Sequence, residues 1–139
     1  SLCLVGSEMC IRDRCVGSKP IDPNYLKKNI NDLEKIEDSN LLWRTAYNKA
    51  LVEYQKVFKK FSYFIFIKIP NWKFVIDWKY KQELGLRSSN SNIHLKKKLY
   101  RFIQFYEKLS KWMYLTSPSD CNVLITLDKK QTAKKITYK

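Results

Sequence analysis

From residue 22 onward the apolar residues change their spacing three times, and this restricts the chain to a mixture of helices and strands. Asp22-Pro23 supplies a side-chain acceptor followed by a proline at the first helical position, where its missing N–H costs nothing. Leu26, Ile30, Leu33 and Ile36 then recur at helical spacing as far as Asp38. Ser39 or Asn40 caps a second helix, whose apolar side is Trp43, Tyr47, Ala50 or Leu51, Tyr54, Phe58 and Phe61. Opposite it stand Arg44, Lys49, Lys56 and Lys59, so these cations are expected in solvent. The two segments read as an antiparallel helical pair joined by residues 37–40.

The middle of the chain admits two readings. Residues 61–69 are β-branched and aromatic, which favours a strand, yet Phe58, Phe61, Ile65 and Ile69 also continue a helical face. Beyond Pro70-Asn71, Trp72, Phe74, Ile76, Trp78 and Tyr80 alternate with Lys73, Val75, Asp77, Lys79 and Lys81, the period of a half-buried strand. A hairpin turning at Pro70-Asn71 follows, with strand character near 62–76; alternatively Asp77 caps a short helix ending at Leu84-Gly85. Residues 87–92 are polar, and Asn90, Ser91 or Asn92 can cap the next helix. Its inward residues are Leu95, Leu99, Phe102 or Ile103, Tyr106, Leu109 and Met113, with Lys96, Lys97, Arg101, Lys108 and Lys111 outward. Residues 116–120, with Pro118, are expected to stop it. Val123, Ile125 and Leu127 alternate, 128–132 is turn-like, and 135–139 alternates again. The expected fold is α+β and predominantly helical: an N-terminal helix pair, a central aromatic strand or hairpin, a basic helix and a C-terminal β-hairpin.

The first fourteen residues stand apart. Leu4 to Arg14 can be back-translated as CTC GTG GGC TCG GAG ATG TGT ATA AGA GAC AGR, which resembles a transposase-end sequencing adaptor. The domain reading is therefore adaptor-derived 1–14, linker 15–21 with Gly17, Ser18 and Pro20, and one basic domain 22–139, either whole or part of a longer protein. Excluding 1–14 removes Glu8, Asp13, Arg12 and Arg14 together, so the net charge of +14 is unchanged.

That charge suits a polyanion partner. It also follows from AT-rich codons, because Lys, Asn, Ile, Tyr and Phe are all abundant. Only Arg44, Arg87 and Arg101 remain of the side chain best shaped for bidentate phosphate and guanine contacts. Cys15, Cys121 and the single His94 make neither a disulfide framework nor a zinc site. The longest apolar run, 61–69, contains Lys68 and is too short to span a membrane. A cytoplasmic location is expected.

Residues 80–99 resemble a helix-turn-helix: a short helix ending in Leu84-Gly85-Leu86, a polar turn, and a second helix with His94-Leu95-Lys96-Lys97. With the basic hairpin at 122–138, the stretch 77–138 is similar to a winged-helix DNA-binding domain. The resemblance implies that Arg87, Ser88, Ser89, Asn90, Asn92 and Lys96 face the groove, supported by Lys97 and Arg101. It further implies that Lys129, Lys130, Lys134 and Lys135 lie along phosphates. The turn is long for the motif, and Ser91 stands where a buried aliphatic usually locks the recognition helix.

Other readings compete. Lysines interleaved with aromatics over 68–81 could stack single-stranded bases, in which case Trp72 or Trp78 is solvent-exposed. The 58–81 segment could lie on an anionic membrane surface, though its alternation argues against an interfacial helix. Catalytic signals are weak. Glu34, Glu37 and Asp38 read as a charged helix end, Asp128 as turn chemistry, and the retained chain has only Gly17 and Gly85, too few for a phosphate loop. The expectation is non-enzymatic nucleic-acid binding, with duplex DNA favoured and no cofactor, as in a mobile-element, phage or plasmid protein. The alternative is a helical interaction or structural module, with a protein partner or a homodimer. Cations gathered on one face would favour the first, and scattered cations the second.

Overall fold

The computed structural model describes residues 2–5, 8–11, 15–86 and 93–139, with side chains from 15 to 85 and from 95 onward. The chain is α+β and mostly helical. Strands β1 (Leu2–Val5) and β2 (Glu8–Ile11) form an antiparallel hairpin within the adaptor-like segment. Then follow α1 (Pro23–Lys27), a π-helical turn (Leu33–Glu37), α2 (Leu42–Phe58), β3 (Ile65–Lys68), α3 (Lys73–Leu86), α4 (Ile93–Asp120), β4 (Val123–Leu127) and β5 (Ala133–Tyr138).

Residues 15–21 are not a free linker. Ser18 and Ile21 are buried, Asn48 of α2 bonds both backbone groups of Ile21, and Gln55 donates to the Ser18 carbonyl. Gly17 has φ +84°, and a Cβ there would meet the Phe64 ring at 3.1 Å, so the strap turns where only glycine fits.

The Asp22 cap forms as expected, its Oδ1 accepting from the Asn24 and Tyr25 amides at 2.9 and 3.2 Å. The first helix nevertheless ends at Lys27 rather than Asp38. Beyond it, the backbone carbonyls that a continuing helix would need are taken by cations. Leu26 accepts from Arg44 at 3.2 Å and from Lys108 at 3.3 Å, and Lys108 also bonds the Tyr25 and Lys28 carbonyls.

The strand expected over 72–80 is a helix. Asn71 Oδ1 accepts the Lys73 amide at 3.0 Å, so the Pro70-Asn71 turn is the cap of α3 and not the bend of a hairpin. Only Ile65–Lys68 keeps the strand character read for this stretch. Gly85 lies within α3 with open space around it, so its freedom is not used to end the helix. Likewise α4 passes Pro118 and ends at Asp120. Thr116 bonds back to the Trp112 carbonyl, and the Cys121 amide reaches Ser117.

The C-terminal hairpin forms as read, closed by Asp128, whose Oδ1 accepts the Lys130 and Thr132 amides at 2.8 and 2.9 Å. It does not stand alone, because β3 pairs with β4 in parallel and gives a mixed sheet of order β3-β4-β5. The parallel pair needs a crossover connection, and the packed helices α3 and α4 supply it. One sheet face packs on α4 through Phe66, Leu124, Met113, Tyr114 and Cys121.

Candidate functional site: an aromatic and lysine-lined cleft

Two clusters of charge are candidates, and they differ in what holds their cations. The first is buried where the π-helical turn, α2 and α4 meet. Arg44, expected in solvent, is fully buried: its Nε donates to Asp38 at 2.8 Å, and its other nitrogens reach Asn29, Glu34 and three backbone carbonyls. Lys108, also expected outward, is 1% exposed and lies 3.1 Å from Glu34. Glu34 and Asp38, read as a solvated helix end, are the anions of this network.

Burial alone would raise the Asp38 carboxyl, but hydrogen bonds from Arg44 and from the Trp43 and Arg44 amides hold it below the ordinary carboxylate range. Removal from water pulls the Lys108 ammonium below the usual lysine range, against the opposing pull of Glu34. Two cations and two anions cancel, and nearly every polar atom is bonded within the protein. Glu34 Oε1 alone in this network lacks a partner among the described residues. The arrangement fixes chain segments to one another and offers a ligand nothing to bind.

The second cluster surrounds a cleft of about 810 Å³ between α3, α4 and the β4–β5 turn. This is within the range of about 300–1,000 Å³ typical of ligand clefts. From α3 come Trp72 at its start, then Val75, Trp78, Lys79 and Gln82, spaced three or four apart and therefore on one helical face; Lys81 stands at the rim. From α4 come Ile103, Tyr106, Ser110 and Tyr114, again at helical spacing, and from the turn Lys129, Lys130 and Gln131. Four lysines and no acidic residue line it.

Lys79 is shared with Glu83 at 3.0 Å, whereas Lys81, Lys129 and Lys130 have no ion pair among the described residues. Trp78 stacks on Phe74 with centroids 6.1 Å apart, and both tryptophans are half-buried, held by the fold yet open to the cleft. Tyr114 lies on the wall facing them. Burial pushes its hydroxyl up to about 12, against a backbone hydrogen bond from Ile69, so it stays a neutral hydrogen-bonding group.

Among the described residues, those singled out by the winged-helix resemblance are not gathered at this cleft, apart from Lys129 and Lys130. Arg87, Ser88, Ser89, Asn90 and Asn92 lie outside the described residues. Lys96 and Lys97 are exposed near the start of α4, with the Lys96 ammonium 5.7 Å from the Tyr80 ring. Arg101 is occupied by Glu37 and lies 5.5 Å over Phe105, so it is not a free phosphate ligand. Lys129 and Lys130 reach the cleft; Lys134 and Lys135 are exposed on β5 away from it.

Trp72 and Trp78 were visible in the sequence as a stacking surface, but on a strand. Lys79 and Lys81 belong to that same reading of 68–81, and Tyr106 reads as an inward core residue, whereas Gln82, Ser110 and Gln131 carry no site reading in the sequence. The signal for Gln82 was the helical spacing of 72, 75, 79 and 82, masked by the alternation of the same aromatics. Cations also stand on α2 at Lys49 and Lys56 and just beyond it at Lys59, a scattered distribution of the kind expected for an interaction module, so only the local gathering of lysines at the cleft speaks for a polyanion.

Among the described residues no three His, Cys, Asp or Glu side chains gather as metal ligands, and no helix is long and apolar enough to cross a membrane. The chain matches no protein-family model, no curated protein and no solved structure.

Proposed function

We propose that this protein binds nucleic acid without catalysis, and that the cleft between α3, α4 and the β4–β5 turn takes a single-stranded segment. The observation that carries the reading is the cleft lining: four lysines, no acid, and the half-buried rings of Trp72 and Trp78. Aromatic faces serve bases that are unstacked, and free ammonium groups beside them serve the phosphates between those bases. Bases inside a duplex already stack on their neighbours and gain little from such rings.

The test is fluorescence anisotropy with labelled single-stranded RNA, single-stranded DNA and duplex DNA across a salt series. Single strands are expected to bind more tightly than duplex, with affinity falling steeply with salt. Equal or weaker single-strand binding would overturn the cleft reading, and no binding of any of the three at low salt would overturn nucleic-acid binding altogether.

One observation favours a second reading, duplex DNA bound through α3 and α4 as a helix-turn-helix: Lys96 and Lys97 are exposed in the early turns of α4. On that reading duplex binds best, and replacing both lysines by Ala weakens it. On the first reading those replacements leave single-strand binding nearly unchanged.

A further inference from the structure

We infer that the cleft selects strands by their base carbonyls, taking the keto bases uracil, thymine and guanine in preference to cytosine and adenine, which carry an amino group at the corresponding ring position. The inference rests on the single-strand reading of the cleft and adds the class of base. Phosphates are common to every strand, so selection falls to the groups that meet the base edges.

The polar groups of the cleft are weighted towards donors. A lysine ammonium can only donate, and four lysines line the cleft with no carboxylate among the described residues of its lining. Gln82 carries both an acceptor and a donor group, but its Oε1 already accepts from Lys79 Nζ at 3.3 Å. An ammonium has no lone pair to offer, so this bond fixes which way round the amide lies and leaves the Nε2 hydrogens for a ligand. Tyr114 is biased in the same sense: its oxygen accepts from the Ile69 backbone N–H, and its own proton remains to be given. Gln131, Tyr106 and Ser110 can donate or accept, and do not select.

Such a lining is matched by acceptors. O4 of uracil or thymine and O6 of guanine supply them, and lysine is a usual partner of guanine O6. The amino groups of cytosine and adenine would set N–H against N–H. Carboxylates, the side chains that accept from cytosine N4, do not line the cleft among the described residues. Stacking on Trp72 and Trp78 gives a different order, because every base has a π-face and the larger purine rings stack best. Stacking alone therefore ranks adenine above uracil, and donor pairing ranks it below.

The full chain would be titrated by fluorescence anisotropy with labelled oligo(U), oligo(C) and oligo(A) of equal length at one salt concentration, which matches the phosphate contacts. Uracil and cytosine share one ring and differ in the keto or amino group, with the ring proton that goes with it. Oligo(U) is expected to bind about three- to tenfold more tightly than oligo(C), the scale of one net hydrogen bond. Replacing the exposed Gln82 by Leu should narrow that ratio. Gln82→Glu, which turns the donor into an acceptor, should shift it towards cytosine. Both variants should keep the parent melting temperature, which separates lost base selection from lost folding. Oligo(C) binding as tightly as oligo(U), oligo(A) binding more tightly than oligo(U), or a ratio that neither variant moves would overturn the inference and leave the single-strand reading standing. Failure of all three strands to bind, or tighter binding of duplex DNA, would overturn the single-strand reading and this inference with it.

Discussion

The region around Arg44 and the region around Trp78 both gather cations beside aromatic rings and use them in opposite ways. In the first, two cations and two anions are enclosed and neutralise one another, and their hydrogen bonds tie residues 25–38 to α2 and α4. In the second, four lysines and two tryptophans line an open cleft, and three of those lysines have no ion pair among the described residues. A high lysine content therefore carries no single meaning in this chain. A cation whose hydrogen bonds are all made inside the protein stabilises the fold, and one left unpaired beside an aromatic wall is available to a ligand.

The contrast predicts that mutations in the two regions separate cleanly between stability and binding. The largest effect is expected for Arg44→Met, which leaves Asp38 buried without its cation and Glu34 with Lys108 alone. Breaking a buried ion network in this way costs about 3–5 kcal/mol, to be read from urea denaturation. A loss below about 1 kcal/mol would show that the network is solvated and the comparison mistaken.

Next in size, Trp78→Ala should weaken single-strand binding by about 1–3 kcal/mol, the range for one base stacked on an aromatic ring. Anisotropy checks it, with circular dichroism confirming the fold. Lys129→Ala with Lys130→Ala should weaken binding less and act chiefly on its salt dependence. The slope of log affinity against log salt should shrink by about 0.7 for each phosphate that is no longer neutralised. An unchanged slope would remove the β4–β5 turn from the site.

The smallest effect is on pH. The folded carboxyl of Asp38 lies below its unfolded value, so its contribution is present above about pH 4 and is lost as pH falls through the folded value. Asp38→Asn should flatten the acid limb of the stability profile and leave binding at neutral pH unchanged.

Much of the architecture was legible because local chemistry decided it. The Asp22-Pro23 cap, the α2 and α4 periodicities, the Asp128 turn and the β4–β5 hairpin each depend on residues near in sequence. The segment 72–80 failed that test. Its aromatics fit period two, while Val75, apolar at a supposedly polar position, fits a helical face, and Asn71 can serve a hairpin turn or a helix cap equally well. Packing of α3 on α4 decides between them, and with that choice the lining of the cleft is fixed. The winged-helix resemblance drew attention to residues 87–92 and to the hairpin lysines, and only Lys129 and Lys130 of those lysines stand at the cleft.

By itself the sequence determined that this chain is a mixture of helices and strands, strongly basic, with lysines and aromatics interleaved in its second half. Only the tertiary structure decided which charges are spent inside. Arg44 and Lys108 read as solvent-facing on their own helices, and both are buried because residues 25–38, outside either helix, bring carbonyls and carboxylates to them. The period of a helix records which side of it is apolar, whereas the partner that makes burying a cation tolerable comes from another part of the chain, and no local pattern encodes that meeting.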